Sequence, residues 1–292
     1  MSRHPNAEGI FLMLAASLAF AVMAAADKQL TKMPASEVVF IRSALSTAVM
    51  GIYLARQKNN GWPGKRPLLL TARGVVGFAA LILYFWALPR LHLGTAVMLN
   101  YTSPLFAVAA SHLFLKEKTA HHAKTLILVS FAGVYLLTAP QMAEKPLAFL
   151  AALASGFLVG LVHLLIRQST NDEESPLLII FYFTAICMIG ALLFCPWVRW
   201  TVPSAEEWGP LLLITGCSYL GQLGLTYSLR KAAVSVVSPF GYITPVLGLV
   251  LGYFIWHENP GLAGYTGSLI VIVCGALLYR RQTGSQTRPG RL

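Results

Sequence analysis

The 292-residue chain is 56% hydrophobic and only 11% charged, less than half the roughly 25% charged share of a soluble domain. Its apolar residues come in long blocks, which excludes a soluble globular enzyme, a disordered chain and a secreted disulfide scaffold and leaves a polytopic membrane protein. The net charge of +11 reads as basic loops that hold topology at a lipid bilayer, not as a nucleic-acid surface, so no nucleic-acid partner is expected.

Ten apolar blocks follow in order, at about 8–27, 35–55, 68–88, 94–115, 122–139, 147–166, 176–198, 209–229, 234–256 and 262–280. Each approaches the ~20 residues a helix needs to cross the hydrocarbon core, and the alternation of a transmembrane barrel is absent. The expected fold is therefore an all-α membrane protein of ten transmembrane helices. The first apolar run, Gly9 to Ala26, exceeds the ~7–15 residues of a signal-peptide core and is read as a retained helix. With the N-terminus inside, fifteen Lys and Arg fall on the cytoplasmic side, clustered around Arg56–Arg66, Lys116–Lys124, Arg230–Lys231 and Arg280–Arg291. Only Lys28, Lys32, Arg90, Lys145 and Arg199 fall outside. The expectation is a bacterial inner (cytoplasmic) membrane protein with both termini cytoplasmic. Connections are short, and no phosphate-binding G-x-x-x-x-G-K-[ST] run occurs, which speaks against ATP hydrolysis by this chain.

The two halves match each other. L-N-Y-T-S-P-L at 99–105 aligns with F-G-Y-I-T-P-V at 240–246, setting Tyr101 against Tyr242, Ser103 against Thr244 and Pro104 against Pro245. Thirteen residues after each proline stands a glutamate, Glu117 or Glu258. Ser17 aligns with Ser155, Lys28 falls opposite Arg167, and 132–137 resembles 274–279. The expected division is 1–140 and 141–292, the second ending in a short basic tail. Five spans per half place the halves in opposite orientations, an inverted repeat suited to alternating access about a site near the midplane.

Ten helices in two five-helix repeats, each with Y-x-[ST]-P and a glutamate that follows, resemble the drug/metabolite transporter superfamily, nearest to its EamA-type bacterial permeases. The resemblance spans about 8–281 and implies secondary transport of a small polar metabolite. That family includes exporters of amino acids and related metabolites, and carriers for nucleotide-like and vitamin-like solutes. Glu117 and Glu258 match its helix-end glutamate, while Lys116 departs from the usual small residue before it.

Polar side chains within the spans are the candidate site. Arg42 enters its span from the outer side, and Glu37 stands about 140° round the helix from it, so Arg42 needs a partner elsewhere or an anionic solute. Arg73 enters from the basic side and is expected to snorkel there. Tyr84 and Trp86 end the third span, and Asn100 and Tyr101 precede Pro104. Tyr219, Gln222 and Thr226 share one face of the eighth, and Tyr242 precedes Pro245. Prolines inside spans free backbone carbonyls where a helix lines a wet cavity, so Pro104 and Pro245 are expected kinks. The substrate-binding candidates are Asn100, Tyr101, Tyr84, Tyr219, Gln222, Tyr242 and Arg42; interhelical hydrogen bonding is the plainer alternative for each.

The helix macrodipole disfavours a carboxylate at a C-terminus, so Glu117 and Glu258 should each have a cation. Topology puts Glu117 level with Arg167 on the cytoplasmic side and Glu258 level with Lys28 on the outer side. These two pairs are the candidate gates. His163 is a weak proton-relay candidate, and no Asp or Glu is expected at the midplane. Cys187, Cys195, Cys217 and Cys274 read as buried apolar fillers. Trp197, Trp200 and Trp208 read as interfacial anchors. Gly156-x-x-x-Gly160 and Gly248-x-x-x-Gly252 permit close helix packing, within the chain or in a homodimer. No cofactor, metal site or catalytic residue is expected. The leading reading is an exporter of amino-acid-like compounds. A carrier for a nucleotide-like or vitamin-like solute is the alternative, with a channel or a membrane enzyme behind it.

Overall fold

The computed structural model describes residues 5–57, 63–103, 106, 121–171, 174–194, 199–200, 202–231 and 240–286. Every regular element among them is helical. In chain order these are α1 (Pro5–Gln29), α2 (Ala35–Arg56), α3 (Pro67–Ala87), a 3-10 turn (Leu88–Arg90), α4 (Leu93–Asn100), α5 (His121–Glu144), α6 (Pro146–Asn171), α7 (Pro176–Leu192), α8 (Ala205–Lys231), α9 (Ile243–Trp256) and α10 (Gly261–Gln286). Four of them, α1, α2, α3 and α6, are long and apolar enough to cross a membrane, and α7, α9 and the first part of α10 are shorter apolar helices.

Local signals start these helices where the chain needs them. Proline opens α3, α6 and α7, at the position where its missing N–H costs nothing. At the start of α8 the Ser204 N–H and Oγ donate to Glu207 Oε2 at 2.8 and 2.9 Å, the glutamate's half of a capping box. These bonds hold the Glu207 carboxyl below its ordinary range, the backbone bond contributing most. At the other extreme, His257 takes a left-handed conformation with φ 55° and ends α9.

The helices associate in a pattern that maps onto itself when α1–α5 are exchanged with α6–α10. α1 lies along α8 and α3 along α6; α2 lies along α7, α4 along α9 and α5 along α10. The lesser contacts obey the same exchange, α3 with α7 and α2 with α8, α1 with α9 and α4 with α6. The central cluster joins Met23–Ala26, Val38, Val39, Tyr84, Phe85, Leu93, Ala96–Leu99, Ala152, Phe183 and Cys187. Phe11, Leu68, Leu128, Phe254 and Leu262 turn outward, 70% exposed or more, as side chains facing lipid tails do. The glycine motifs are used inside the chain. A Cβ at Gly156 would lie 2.5 Å from the Leu99 carbonyl, and one at Gly248 would lie 3.3 Å from Val97.

A candidate central cavity and its outer closure

The Y-x-[ST]-P segments break their helices at the tyrosine. α4 ends at Asn100 and turns at Tyr101, φ −79° ψ 7°. The chain turns in the same way at Tyr242, φ −68° ψ −5°, just before α9. Each break lies three residues before the proline, whose missing N–H leaves the carbonyl four residues back without its helical donor. The kink expectation at Pro245 therefore takes the form of a break at Tyr242, with Pro245 buried in the first turn of α9. Pro104 lies outside the described residues.

Each break is braced by a serine from the first helix of the other half. Ser17 Oγ on α1 donates to the Phe240 carbonyl at 3.1 Å, and Thr244 Oγ1 donates to the Ser17 carbonyl at 3.1 Å. Asn100 Nδ2 on α4 donates to Ser155 Oγ on α6 at 2.7 Å. Between the two breaks the rings of Tyr101 and Tyr242 meet, centroids 6.4 Å apart. The Tyr101 phenol also interacts with the Thr244 side chain, and Tyr84 neighbours both Tyr101 and Asp27. Tyr84, Tyr101 and Tyr242, with Asn100 beside them, thus come together at the helix breaks.

Arg42 is fully buried on α2, and its guanidinium has Asp27 of α1 as its carboxylate neighbour. It also lies over the Phe85 ring, 5.5 Å from the centroid. Asp27, one residue before Lys28 and without a sequence signal of its own, is buried with Oδ2 lacking a hydrogen-bond partner among the described residues. Arg73 does not snorkel. It is 3% exposed, with its guanidinium 4.1 Å from the Phe183 centroid, and has Cys187 and Arg42 as electrostatic neighbours. Burial inside the bundle wins over reach to the surface because Gly77 leaves room: a Cβ there would lie 2.9 Å from Phe183. Cys187 is buried as expected, but against two arginines instead of purely apolar neighbours. One sequence signal could have found Arg73. Arg73, Gly77, Ala80 and Tyr84 fall at i, i+4, i+7 and i+11, one buried stripe of α3.

Tyr219 stands apart from the tyrosine group. It borders a cleft of about 140 Å³ between α2 and α8, lined also by Leu45, Ser46, Val49, Thr215 and Gly216. Gln222 is half-buried one turn further along α8. Trp200 donates from Nε1 to Ser36 Oγ at 3.1 Å and stacks near Phe40, while Trp208 is half-exposed. Trp197 and Cys195 lie outside the described residues, as does the side chain of His163.

At the outer end expected from topology, Lys28 Nζ lies 2.7 Å from Glu258 Oε1, with both side chains at most a tenth exposed. Lys28 also donates to the Leu91 carbonyl and sits 5.6 Å from the Trp256 ring centroid. Glu258 is aimed by the left-handed His257. Its N–H returns to the Gly252 carbonyl at 3.1 Å, and its carboxylate folds over Gly252, where a Cβ would lie 2.6 Å from Oε2. The Leu93 N–H, at the start of α4, donates to Oε2 at 2.7 Å. The glutamate thus follows the C-terminus of α9 yet caps the N-terminus of α4, where the helix dipole favours a carboxylate. Glu117, and the side chain of Arg167, lie outside the described residues.

The model of the EamA-like transporter family matches residues 7–139 and again 146–280. The pseudopaline exporter CntI of Pseudomonas aeruginosa is 31% identical, over 94% of this chain and 97% of its own. A riboflavin transporter of Vibrio cholerae is 24% identical, over 98% and 97%. An S-adenosylmethionine uptake transporter of Rickettsia conorii is 24% identical, over 83% and 82%. One crystal structure, 17% identical, superposes with a TM-score of 0.66 over 97% of this chain and 99% of that one, a likeness of fold alone. An all-helical chain with several membrane-length apolar helices, matched by the family model nearly end to end, belongs to the EamA-like transporter family.

Proposed function

We propose that the protein is a secondary carrier of the inner membrane that exports a small, amino-acid-like metabolite by alternating access. The observation that carries this reading is the outer closure. One ion pair, Lys28 with Glu258, ties the end of α1 to the ends of α9 and the start of α4, directly over a buried polar centre that membrane packing alone does not require. Charged residues inside a membrane bundle are expensive and mark solute pathways.

The fold is read as two inverted five-helix repeats, 1–140 and 141–292. The exchange symmetry of the helix contacts and the paired family matches support it. Under that repeat, Glu117 and Arg167 would close the cytoplasmic side as Lys28 and Glu258 close the outer side, with both termini cytoplasmic. Asn100, Tyr101, Tyr84, Tyr242 and Arg42 are assigned to the solute site, and Tyr219 and Gln222 to the approach along α8. Export of an amino-acid-like compound is favoured by the likeness to an exporter over nearly the whole chain. The riboflavin and S-adenosylmethionine relatives keep a vitamin-like or nucleotide-like solute as the second reading. The relatives are named as transporters, which favours a carrier over an enzyme.

Counterflow in proteoliposomes tests this. Preloading with one amino acid should accelerate uptake of the same labelled compound, saturably. A flux that rises linearly with concentration and shows no trans-acceleration means a channel and removes the carrier.

A further inference from the structure

Arg42 and Arg73 enter the bundle from opposite ends of antiparallel helices, yet their guanidinium groups converge on one ring. The Phe183 centroid is 6.0 Å from Arg42 Cζ and 4.1 Å from Arg73 Cζ. The two cations therefore stand no more than about 10 Å apart, with Cys187 an electrostatic neighbour of both. Both residues are buried, 1% and 3% exposed. Arg42 Nε and Arg73 Nε and Nη1 have no hydrogen-bond acceptor among the described residues.

The charges do not balance locally. Asp27 is the carboxylate neighbour of Arg42, and the electrostatic neighbours of Arg73 are Cys187 and Arg42, a second cation. A buried charge is retained only where it is paired. The rest of the site is shaped around this surplus: Gly77 seats Phe183 beside Arg73. Ser46, one turn after Arg42, is buried with a hydroxyl lacking a partner among the described residues and borders the cleft between α2 and α8. A solute reaching Ser46 is one helical turn from Arg42.

We propose that Arg42 and Arg73 are the anion-binding pair of the transport site, and that the solute presents a carboxylate to them. The inference rests on the metabolite-carrier reading and names the substrate class. Arginine suits the role because its fork of N–H donors matches a carboxylate in two parallel bonds and keeps its charge when desolvated. The incoming carboxylate supplies the acceptors that the buried donors lack and neutralises the surplus charge. Phe183 and Phe85 then flank it with apolar surface.

The probes are the twenty amino acids and succinate, each set against its fully amidated analogue, in thermal-shift titrations of the purified full-length protein. At least one free acid should raise the melting temperature while its amide does not, since bound ligand stabilises by mass action. Arg42→Gln and Arg73→Gln should each weaken that acid at least tenfold, and Arg42→Lys and Arg73→Lys should recover part. Arg73→Gln leaves Arg42 and its Asp27 neighbour in place and keeps the test decisive should Arg42→Gln fail to fold. Equal shifts by acid and amide, undiminished affinity in both Gln variants, or no shift by any acid overturns the anion pair. The two readings fail separately. Counterflow that proceeds equally with acids and amides keeps the carrier and removes the anion pair. A shift by succinate alone keeps the anion pair and removes the amino-acid-like substrate.

Discussion

Tyr101 ends α4 and Tyr242 opens α9 in the same backbone conformation, and their ring centroids stand 6.4 Å apart. Matching positions of the two sequence halves thus meet with tilted rings. A contact of this kind is worth ~0.5–1.5 kcal/mol beyond area burial. Tyr101→Ala and Tyr242→Ala should therefore be non-additive: the double variant loses about that much less stability than the two single losses together. Additive losses in denaturation of the purified protein would mean the rings are not energetically coupled. Tyr101→Ala should also lower the counterflow rate while leaving membrane insertion intact.

The Lys28–Glu258 pair gives a second expectation. Glu258→Gln keeps an acceptor for the Leu93 N–H but removes the charge opposite Lys28. Hydrogen bonds to charged groups contribute ~1.5–3 kcal/mol, so the outward-closed state loses about a factor of ten or more in population. With a single cysteine at Ser43→Cys in a cysteine-free background, labelling by an impermeant thiol reagent from outside should accelerate at least tenfold. An unchanged labelling rate removes the outer gate.

The proposed inverted repeat carries the same argument to the other side. Glu117→Arg should impair transport, and adding Arg167→Glu should restore part of it. Losses that simply add in the double variant remove the cytoplasmic gate.

Much of this was legible in the sequence because repeats and periodicity are local facts. The tyrosine–proline segments aligned without a structure. The Lys28–Glu258 pairing followed from counting which helix ends share a membrane face. What escaped was set by packing across the halves. Asp27 sits beside Lys28 in the sequence, and no pattern there singles it out. It is buried because α1 packs along α8 and against α9, and Arg42 of α2 is its electrostatic neighbour. Arg73 looked free to snorkel because its distance from the basic loop allowed it. Gly77 and Phe183 sit over a hundred residues apart, and no local pattern shows that the ring fills the glycine's space. The glutamate's second role, capping α4 through the Leu93 N–H, likewise needs the left-handed turn at His257, an uncommon conformation for a residue other than glycine.

Gly156 tests how closely the halves pack. A methyl group there would lie 2.5 Å from the Leu99 carbonyl and 2.8 Å from Thr102 Oγ1. Backbone cannot yield as a flexible side chain does, so α6 must move away from the Tyr101 break. Overpacking of this kind costs ~1–3 kcal/mol. Gly156→Ala should lower the melting temperature and reduce transport. Gly209→Ala, with nothing within 4 Å of the added carbon, should do neither. Matching melting curves for the two variants would mean the α4–α6 contact is looser than the structure has it.

Arg73 offers the sharpest contrast between stability and function. Its burial costs ~2.5–3.5 kcal/mol on insertion scales, and the Phe183 ring returns up to about 2 kcal/mol. Arg42 adds like-charge repulsion, and among the described residues no carboxylate is an electrostatic neighbour of Arg73. Methionine is flexible enough to fill the same space without a charge. Arg73→Met should therefore stabilise the solute-free protein by about 1 kcal/mol, in line with buried ions elsewhere that are replaced by apolar residues. Arg42→Met should bring no such gain, because it removes the electrostatic neighbour that favours the buried Asp27 carboxylate. Both variants should lose transport. Thermal denaturation without solute, run beside counterflow, separates the two. If Arg73→Met melts below the wild type, the arginine holds the bundle together and its donors are not waiting for a solute.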